Sequence, residues 1–388
     1  MKITCVGGGP ASLYFSILMK VVDPSHDITV YERNPAGSTY GWGVTYWADL
    51  LGALYVSDPV SAEAVRRSSV HWSQWDTHLQ GRARVTVEGA EGGYGIGRHE
   101  LLRILTERAR DLGVRVAFER EITDPAETAG ADLVVAGDGI NSVLRERHAA
   151  DFGTVSKAGR NLYTWLGTTQ VFESFVFAFV PTEHGWIWCY GYPYSTTHST
   201  CVVECAPETW RGLGLHEMAE ADGMALLEKL FADVLDGHPL IGQENTGVRW
   251  ARFRTLTNRV WHRGNVVLLG DAAHTTHYSV GAGTALALAD AAGLAEALCQ
   301  DARLPRALSR YQRMRKPPTR ASQAAARNSA RWFEHLPRYI DLPPEQLIVL
   351  LGLRHSALPQ RMPPWLFCRI DRALETLAEL PGRRRRHD

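Results

Sequence analysis

A β-branched run, Lys2-Ile3-Thr4-Cys5-Val6, is followed at once by Gly7-Gly8-Gly9-Pro10-Ala11-Ser12, and then by an apolar helical pattern through Leu13, Phe15, Ile17, Leu18 and Val21. A strand, a glycine turn and a helix in that order form the first unit of a dinucleotide-binding fold, where the free N–H groups of the helix start face a pyrophosphate. The third glycine of that pattern is replaced by Ser12, which adds only a Cβ and a hydroxyl. After a second strand-like run, Ile28-Thr29-Val30-Tyr31, comes Glu32 with Arg33 beside it. An acid about 20 residues beyond the glycines is the group that holds a ribose hydroxyl pair. These features point to a dinucleotide seated on Gly7, Gly9, Pro10, Ala11, Ser12 and Glu32. An acid here favours an unphosphorylated adenosine ribose.

The far end of the chain carries a second signal. The run Asn265-Val266-Val267-Leu268-Leu269 has strand length, and Gly270-Asp271-Ala272-Ala273-His274 follows it. Beyond Thr275-Thr276-His277-Tyr278-Ser279-Val280 comes Gly281-Ala282-Gly283-Thr284, which opens an Ala/Leu-rich helical stretch over residues 285–298. Asp271 is thereby delivered at a strand end, where it can accept from a ribose-type hydroxyl, and a glycine pair opens a helix, where bare N–H groups can approach an anion or a carbonyl. An ordinary strand–loop–helix crossover has the same local pattern. Asp271, His274 and His277 are also spaced three apart, a pattern that suits a metal site and a hydrolase.

Between these ends, Gly41-Trp42-Gly43-Val44 reads as a loop, and Gly95-Ile96-Gly97 leads into a helix that starts near Arg98. A cation at a helix start is disfavoured by about 0.3–1 kcal/mol unless an anion lies nearby. A bound pyrophosphate would be that anion; a solvated surface arginine is the alternative. Residues 114–118 and 132–136 read as strands, the second buried, and Gly137-Asp138-Gly139 with Ser142 and Arg145 follows. Residues 162–169, 175–180, 186–192 and 199–205 are short aromatic and β-branched runs, the pattern of antiparallel strands. Trp165, Phe177, Trp188 and Tyr190 lie in them and are candidates to line a pocket for a planar ring. Later segments, 223–235, 308–314 and 320–333, read as helices, the last two separated by Pro317-Pro318.

The glycine fingerprint, the central Asp138-Gly139 with Ser142 and Arg145, and Gly270-Asp271-Ala272-Ala273-His274 with its later glycines together resemble the single-component FAD-dependent aromatic hydroxylases of the p-hydroxybenzoate hydroxylase type. Residues 277–284, Gly159-Arg160-Asn161, Val203-Glu204-Cys205 and residues 329–334 are most similar to the branch of salicyloyl-CoA, anthraniloyl-CoA and violacein-pathway hydroxylases. The resemblance implies an α/β, Rossmann-like FAD-binding fold with an inserted antiparallel β-sheet substrate domain and a C-terminal helical segment. Its expected divisions are 1–158 and 263–300 for FAD, 159–262 for the sheet, and 301–388 for the helical region with a basic tail.

It further implies resident FAD and transient NAD(P)H as co-substrate, and ring hydroxylation by O2 through a C4a-hydroperoxyflavin. Glu32 would hold the adenosine ribose, Arg98 the pyrophosphate and Asp271 the ribityl chain, with Arg33 and Asp138 as further cofactor-binding residues. Gly281, Ala282, Gly283 and Thr284 would face the isoalloxazine. His274, His277 and Tyr278 are the candidates for substrate contact or proton movement. The substrate implied is an aryl-CoA such as salicyloyl-CoA, hydroxylated at the 5-position, with an indole or another free aromatic as the alternative. A flavin-binding module without oxygenase activity is a further reading.

Composition agrees with a small-molecule enzyme. The 388 residues are 45% hydrophobic, and 42 basic side chains balance 42 acidic ones, so no overall field draws the chain to nucleic acid or a membrane surface. The six cysteines show no pairing pattern, the expectation for free thiols in a cytoplasmic protein. The run Arg383-Arg384-Arg385-Arg386 reads as a solvated end.

Overall fold

The computed structural model describes residues 1–39, 41–243, 248–367 and 369. The expected basic tail and Cys368 lie outside them. The N-terminal β-branched run forms the strand Lys2–Val6, flanked in parallel by Asp27–Tyr31 on one side and Leu133–Ala136 on the other. Arg115–Ala117 extends one edge and Val266–Leu268 the other, both parallel, with the short antiparallel His262–Arg263 outermost. Burial on both faces explains why these strands read as continuous apolar runs. Helices Pro10–Val22 and Gly283–Gln300 pack on the sheet through Leu13, Phe15, Ile17, Leu288, Ala291 and Leu294. Both start at its C-terminal edge, the edge at which open α/β sheets take their ligands.

A second, nine-stranded sheet stands over that edge. The four aromatic runs are all strands of it: Thr154–Thr168, Phe175–Thr182, Gly185–Pro193 and Ser199–Cys205, paired antiparallel as neighbours in space. Three more strands come from early in the chain, Gly43–Tyr46, Val70–Leu79 and Ala83–Gly97, the middle one pairing in parallel with Phe175–Thr182. The expected boundary at residue 158 therefore falls inside the strand Thr154–Thr168, and the sheet is assembled from two separate stretches. Residues 43 and 44, expected in a loop, are strand. Glycine density hid these strands because glycine is depleted in ordinary ones; here the reason is close packing, since a Cβ at Gly95 would sit 2.0 Å from the Pro193 carbonyl oxygen.

One face of this sheet, carrying Leu166, Cys189, Cys201 and Val203, is covered by the helices Glu220–Leu230 and Ala232–Leu235. The opposite face carries Phe177, Trp188 and Tyr190 and meets Trp332, Phe333, Leu347 and Leu350 from the C-terminal helices. The two helices expected on either side of Pro317-Pro318 are one, Leu304–Glu334. Each proline removes a donor and costs roughly 3 kcal/mol in an isolated helix. Here burial of Tyr311 before them and of Ala326, Trp332 and Phe333 after them holds the axis, and the Thr319 hydroxyl donates to the Arg315 carbonyl at 2.8 Å. Among the described residues the cysteines are free thiols, and no helix is long and apolar enough to cross a membrane.

Candidate active site

Gly7 turns the chain with φ +94°, and a Cβ there would lie 2.5 Å from the Gly137 carbonyl oxygen and 2.6 Å from Asp138 Cα. Only glycine lets the first and central crossovers touch. Glu32 reaches back over this turn. Its Oε2 accepts from the Gly8 amide at 2.8 Å, while Oε1 accepts from the backbone and side-chain nitrogens of Asn34. A carboxylate so held keeps acceptor capacity for hydroxyl donors. Helix Pro10–Val22 begins with Pro10 and has no side-chain cap, and helix Gly283–Gln300 likewise has none. The N–H groups of both first turns are therefore available to an outside acceptor. The two helix starts converge: Gly270 packs between Ala11 and Ala287, with its Cβ position 3.2 Å and 3.5 Å from their Cβ atoms. A Cβ at Gly283 would meet nothing within 4 Å, so the protein leaves space in front of that turn.

Asp138 and Asp271 each follow one of two adjacent parallel strands, Leu133–Ala136 and Val266–Leu268, at the C-terminal end. Asp138 Oδ2 accepts from the Val143 amide at 2.7 Å, whereas its buried Oδ1 has no partner among the described residues. Burial raises the carboxyl of Asp138 above the usual range. Asp271 is raised too, chiefly by desolvation, with Arg98 and His274 opposing. Asp271 itself is exposed to solvent. Arg98, the first residue of helix Arg98–Asp111, is thus within electrostatic reach of Asp271, as a shared anionic ligand would require. Arg33 instead is exposed and lies 3.7 Å from Glu121. Fully buried Arg145 ties two crossovers together by donating to the carbonyls of Gly139 and Ala272.

The loop after Asp271 separates the histidines. His274 Nε2 lies 2.6 Å from Asp290 Oδ2, Arg315 Nε donates to Asp290 Oδ1 at 2.9 Å, and the ring stacks on Trp261. This buried pairing points His274 into the helical layer, toward Asp290 and Trp261. His277 turns elsewhere, its Nδ1 2.9 Å from Ser279 Oγ, and burial lowers its pKa to about 3. Asp271, His274 and His277 therefore do not converge, and among the described residues no group of three or more His, Cys, Asp or Glu side chains is placed to hold a metal ion. That arrangement removes the basis of the hydrolase reading.

Tyr278 is directed onto the sheet. Its hydroxyl donates to Glu204 Oε2 at 2.7 Å, the Tyr190 hydroxyl donates to the same oxygen at 2.7 Å, and Asn161 Nδ2 donates to Oε1 at 2.8 Å. Desolvation still wins, and the Glu204 carboxyl is raised above its usual range. Trp188 Nε1 donates to the Tyr190 hydroxyl at 3.2 Å, and its indole stacks on Phe333 at 5.7 Å. Trp188 is packed between sheet and helix, not open to a pocket. Phe177 meets Tyr190 edge-on and lies under the Arg354 guanidinium, 5.3 Å from the ring centre. Trp165 closes against Gly41, whose Cβ position is 3.2 Å from the indole. Gly281 abuts Thr45, so the loop before the second helix also touches the sheet.

Sequence reading missed Arg354, because an arginine in the apolar C-terminal stretch resembles any surface arginine. It noted Glu204 only as part of a matching tripeptide, although an acid inside the run Thr200-Cys201-Val202-Val203-Glu204-Cys205 was a signal that a polar group is buried there.

These features fit FAD: two uncapped helix starts on one edge, an acid at each end, an orphaned carboxylate oxygen between them, and a turn whose front is clear. Comparison with known proteins agrees. Residues 49–326 match the family model described as FAD binding domain. The chain is 39% identical over 350 residues to salicyloyl-CoA 5-hydroxylase of a Streptomyces species, covering 88% of this chain and 66% of that longer enzyme. It is 37% identical to 3-hydroxy-4-methyl-anthranilyl-[aryl-carrier protein] 5-monooxygenase of Streptosporangium sibiricum, covering 93% of this chain and 96% of the relative, and 31% identical to protodeoxyviolaceinate monooxygenase of Chromobacterium violaceum, covering 92% and 96%. The fold matches 2-methyl-3-hydroxypyridine-5-carboxylic acid oxygenase with a TM-score of 0.67 at 19% identity, over 85% of this chain and 90% of that one. PqsL of Pseudomonas aeruginosa matches with 0.69 at 20%, over 88% and 98%. The chain belongs to the FAD-dependent aromatic hydroxylases and is a flavin-dependent aromatic monooxygenase.

Proposed function

We propose that this enzyme hydroxylates an electron-rich aromatic ring carried as a thioester, with an aryl-CoA such as salicyloyl-CoA as substrate, position 5 as the target, and NAD(P)H as the transient reductant. The observation that carries this reading is the convergence of the two uncapped helix starts beneath an aromatic sheet face, together with relatives whose names specify a CoA-linked and a carrier-linked aryl substrate. When bound, FAD supplies the two-electron activation of O2 that no side chain can perform.

The rest falls to the chain. Glu32 holds the adenosine ribose, the turns at Gly7–Ser12 and Gly281–Thr284 receive the pyrophosphate and the ring system, Arg98 balances phosphate charge, and Asp271 accepts from the ribityl hydroxyls. Half-buried Trp165 offers an aromatic surface that orients a planar ring and keeps water from the reacting face, with the buried Tyr190 and Phe177 in cross-strand register with it on the same sheet face. Tyr278 holds its proton on Glu204 Oε2, one hydrogen bond from a buried carboxylate. His277, kept neutral by burial, braces the loop through Ser279. The test is substrate-stimulated NAD(P)H oxidation with salicyloyl-CoA and with free salicylate, with product identified by mass spectrometry. Stimulation with a hydroxylated thioester is expected. Oxidation that yields only hydrogen peroxide with both compounds would overturn the aryl-thioester assignment, and stimulation by an indole instead would favour the violacein-type alternative.

A further inference from the structure

A groove of about 410 Å³ lies beside the loop of residues 275–277 and is built by the sheet on one side and helix Leu304–Glu334 on the other. Lys157, Arg327 and Arg331 line it, against a single carboxylate, Glu334. Glu334 already accepts from the Arg160 amide at 2.9 Å. The three cations are exposed, and among the described residues none has a carboxylate within ion-pair distance. Their placement follows from local periodicity: Arg327 and Arg331 stand four apart on one helix face, and Lys157 points from a strand at the opposite wall. Such a spread of cations, with no carboxylate in ion-pair range among the described residues, is suited to a multiply charged anion that bridges the two walls.

The inner end of the groove differs. Thr276 lines it, is only 7% exposed, and its hydroxyl has no hydrogen-bond partner among the described residues. A buried hydroxyl left without a partner is costly unless a ligand or water satisfies it. Phe253 and His277 also line this end. Their rings contact Tyr278, at centroid separations of 5.8 Å and 4.2 Å, and Tyr278 in turn contacts Tyr163 at 4.5 Å. The groove therefore ends one layer of rings from the aromatic face, and Tyr163 and Trp165 lie further along the strand that supplies Lys157.

We infer that this groove binds the phosphate-bearing pantetheine arm of the substrate, with Lys157, Arg327 and Arg331 on its phosphates and Thr276 hydrogen-bonded to an amide of the arm, while the aryl group reaches the aromatic face. This rests on the aryl-thioester reading above and adds where the carrier portion sits and which residues select it. The shared chemistry is a phosphopantetheinyl thioester, whether its phosphate belongs to coenzyme A or to the phosphoserine linkage of a carrier protein.

The test uses the full-length, flavin-loaded enzyme and reads ligand binding from perturbation of the flavin absorbance, without turnover. The probes are salicyloyl-CoA, salicyloyl-pantetheine without phosphate, and a salicyloyl-carrier protein. In the double variant Lys157→Ala/Arg331→Ala, Kd for the phosphate-bearing thioesters is expected to rise about tenfold or more, and Kd for the phosphate-free thioester to stay within about twofold. A rise confined to the CoA thioester, or to the carrier thioester, supports the groove and identifies the source of the phosphate. Arg331→Lys is expected to restore most of the affinity, and Arg327→Glu to weaken the phosphate-bearing probes alone. Equal weakening of all probes, no weakening, or a raised NAD(P)H requirement with unchanged thioester affinity would each overturn the inference and leave the aryl-thioester reading standing. A wild-type enzyme that binds none of the thioesters would overturn both.

Discussion

Tyr278 Oη and Glu204 Oε2 are 2.7 Å apart although 74 positions separate the residues, and this contact joins the loop that precedes the second glycine-opened helix to the middle of the aromatic sheet. Glu204 is 1% exposed and its carboxyl is raised by burial. In the window between the unfolded carboxylate value and that raised value the folded state binds more protons than the unfolded one. Stability contributed by this group therefore falls as pH rises through the window. Glu204→Gln removes the titration, and the difference between wild-type and variant denaturation free energies is expected to shrink steadily as pH increases from about 4. A pH-independent difference would show that the carboxyl titrates alike in the folded and unfolded chains, so that burial does not raise it.

His277 carries the opposite sign of dependence for a base. Burial holds its pKa at about 3, so the folded state refuses a proton that the unfolded chain accepts below its ordinary value. Stability is lost as pH falls from about 6.5 toward 3, and His277→Asn should flatten that slope. Between pH 6 and 8 the profile of kcat should be the same in variant and wild type, because the ring is already neutral. A kinetic pKa in that interval that disappears in the variant would contradict this.

His274 acts through packing. Asp290→Ala would leave Arg315 and His274 without their buried acceptor, and breaking such a pair costs about 3–5 kcal/mol. His274→Gln should cost less, about 1–3 kcal/mol, and leave kcat of the folded holoenzyme within a few-fold. Chemical denaturation alongside single-turnover kinetics separates the two. A hundredfold fall in the chemical step at unchanged stability would return His274 to the reacting centre.

Two glycines that look alike in sequence should respond differently. Gly7→Ala forces a left-handed backbone and a 2.5 Å clash with Gly137, so a loss of several kcal/mol and poor soluble yield are expected. At Gly283 an added Cβ meets no protein atom within 4 Å, so Gly283→Val should change stability of the flavin-free protein by less than about 1 kcal/mol while lowering FAD affinity tenfold or more. Thermal melting of the flavin-free protein and flavin titration give both quantities. Normal FAD affinity in Gly283→Val would move the isoalloxazine away from this turn.

The dinucleotide turn, the acid Glu32 and the strands of the parallel sheet were legible in the chain because each depends on neighbours within a few residues: strand, glycine and helix must follow one another for a pyrophosphate to meet free N–H groups. The four aromatic runs were legible for the same reason, since alternation is local. What the sequence could not set is which distant groups meet. Residues 43 and 44 look like loop material until they are found paired with Gly97 and Ile96; Pro317-Pro318 looks like a break until the burial of Trp332 and Phe333 holds one helix through it. His274 and His277, three residues apart, were separated only by what the fold placed beside them, Asp290 for one and Ser279 for the other. Local propensity is weak and long-range burial is strong, so the tertiary structure alone decided which polar side chains became structural pairs and which were left facing a ligand.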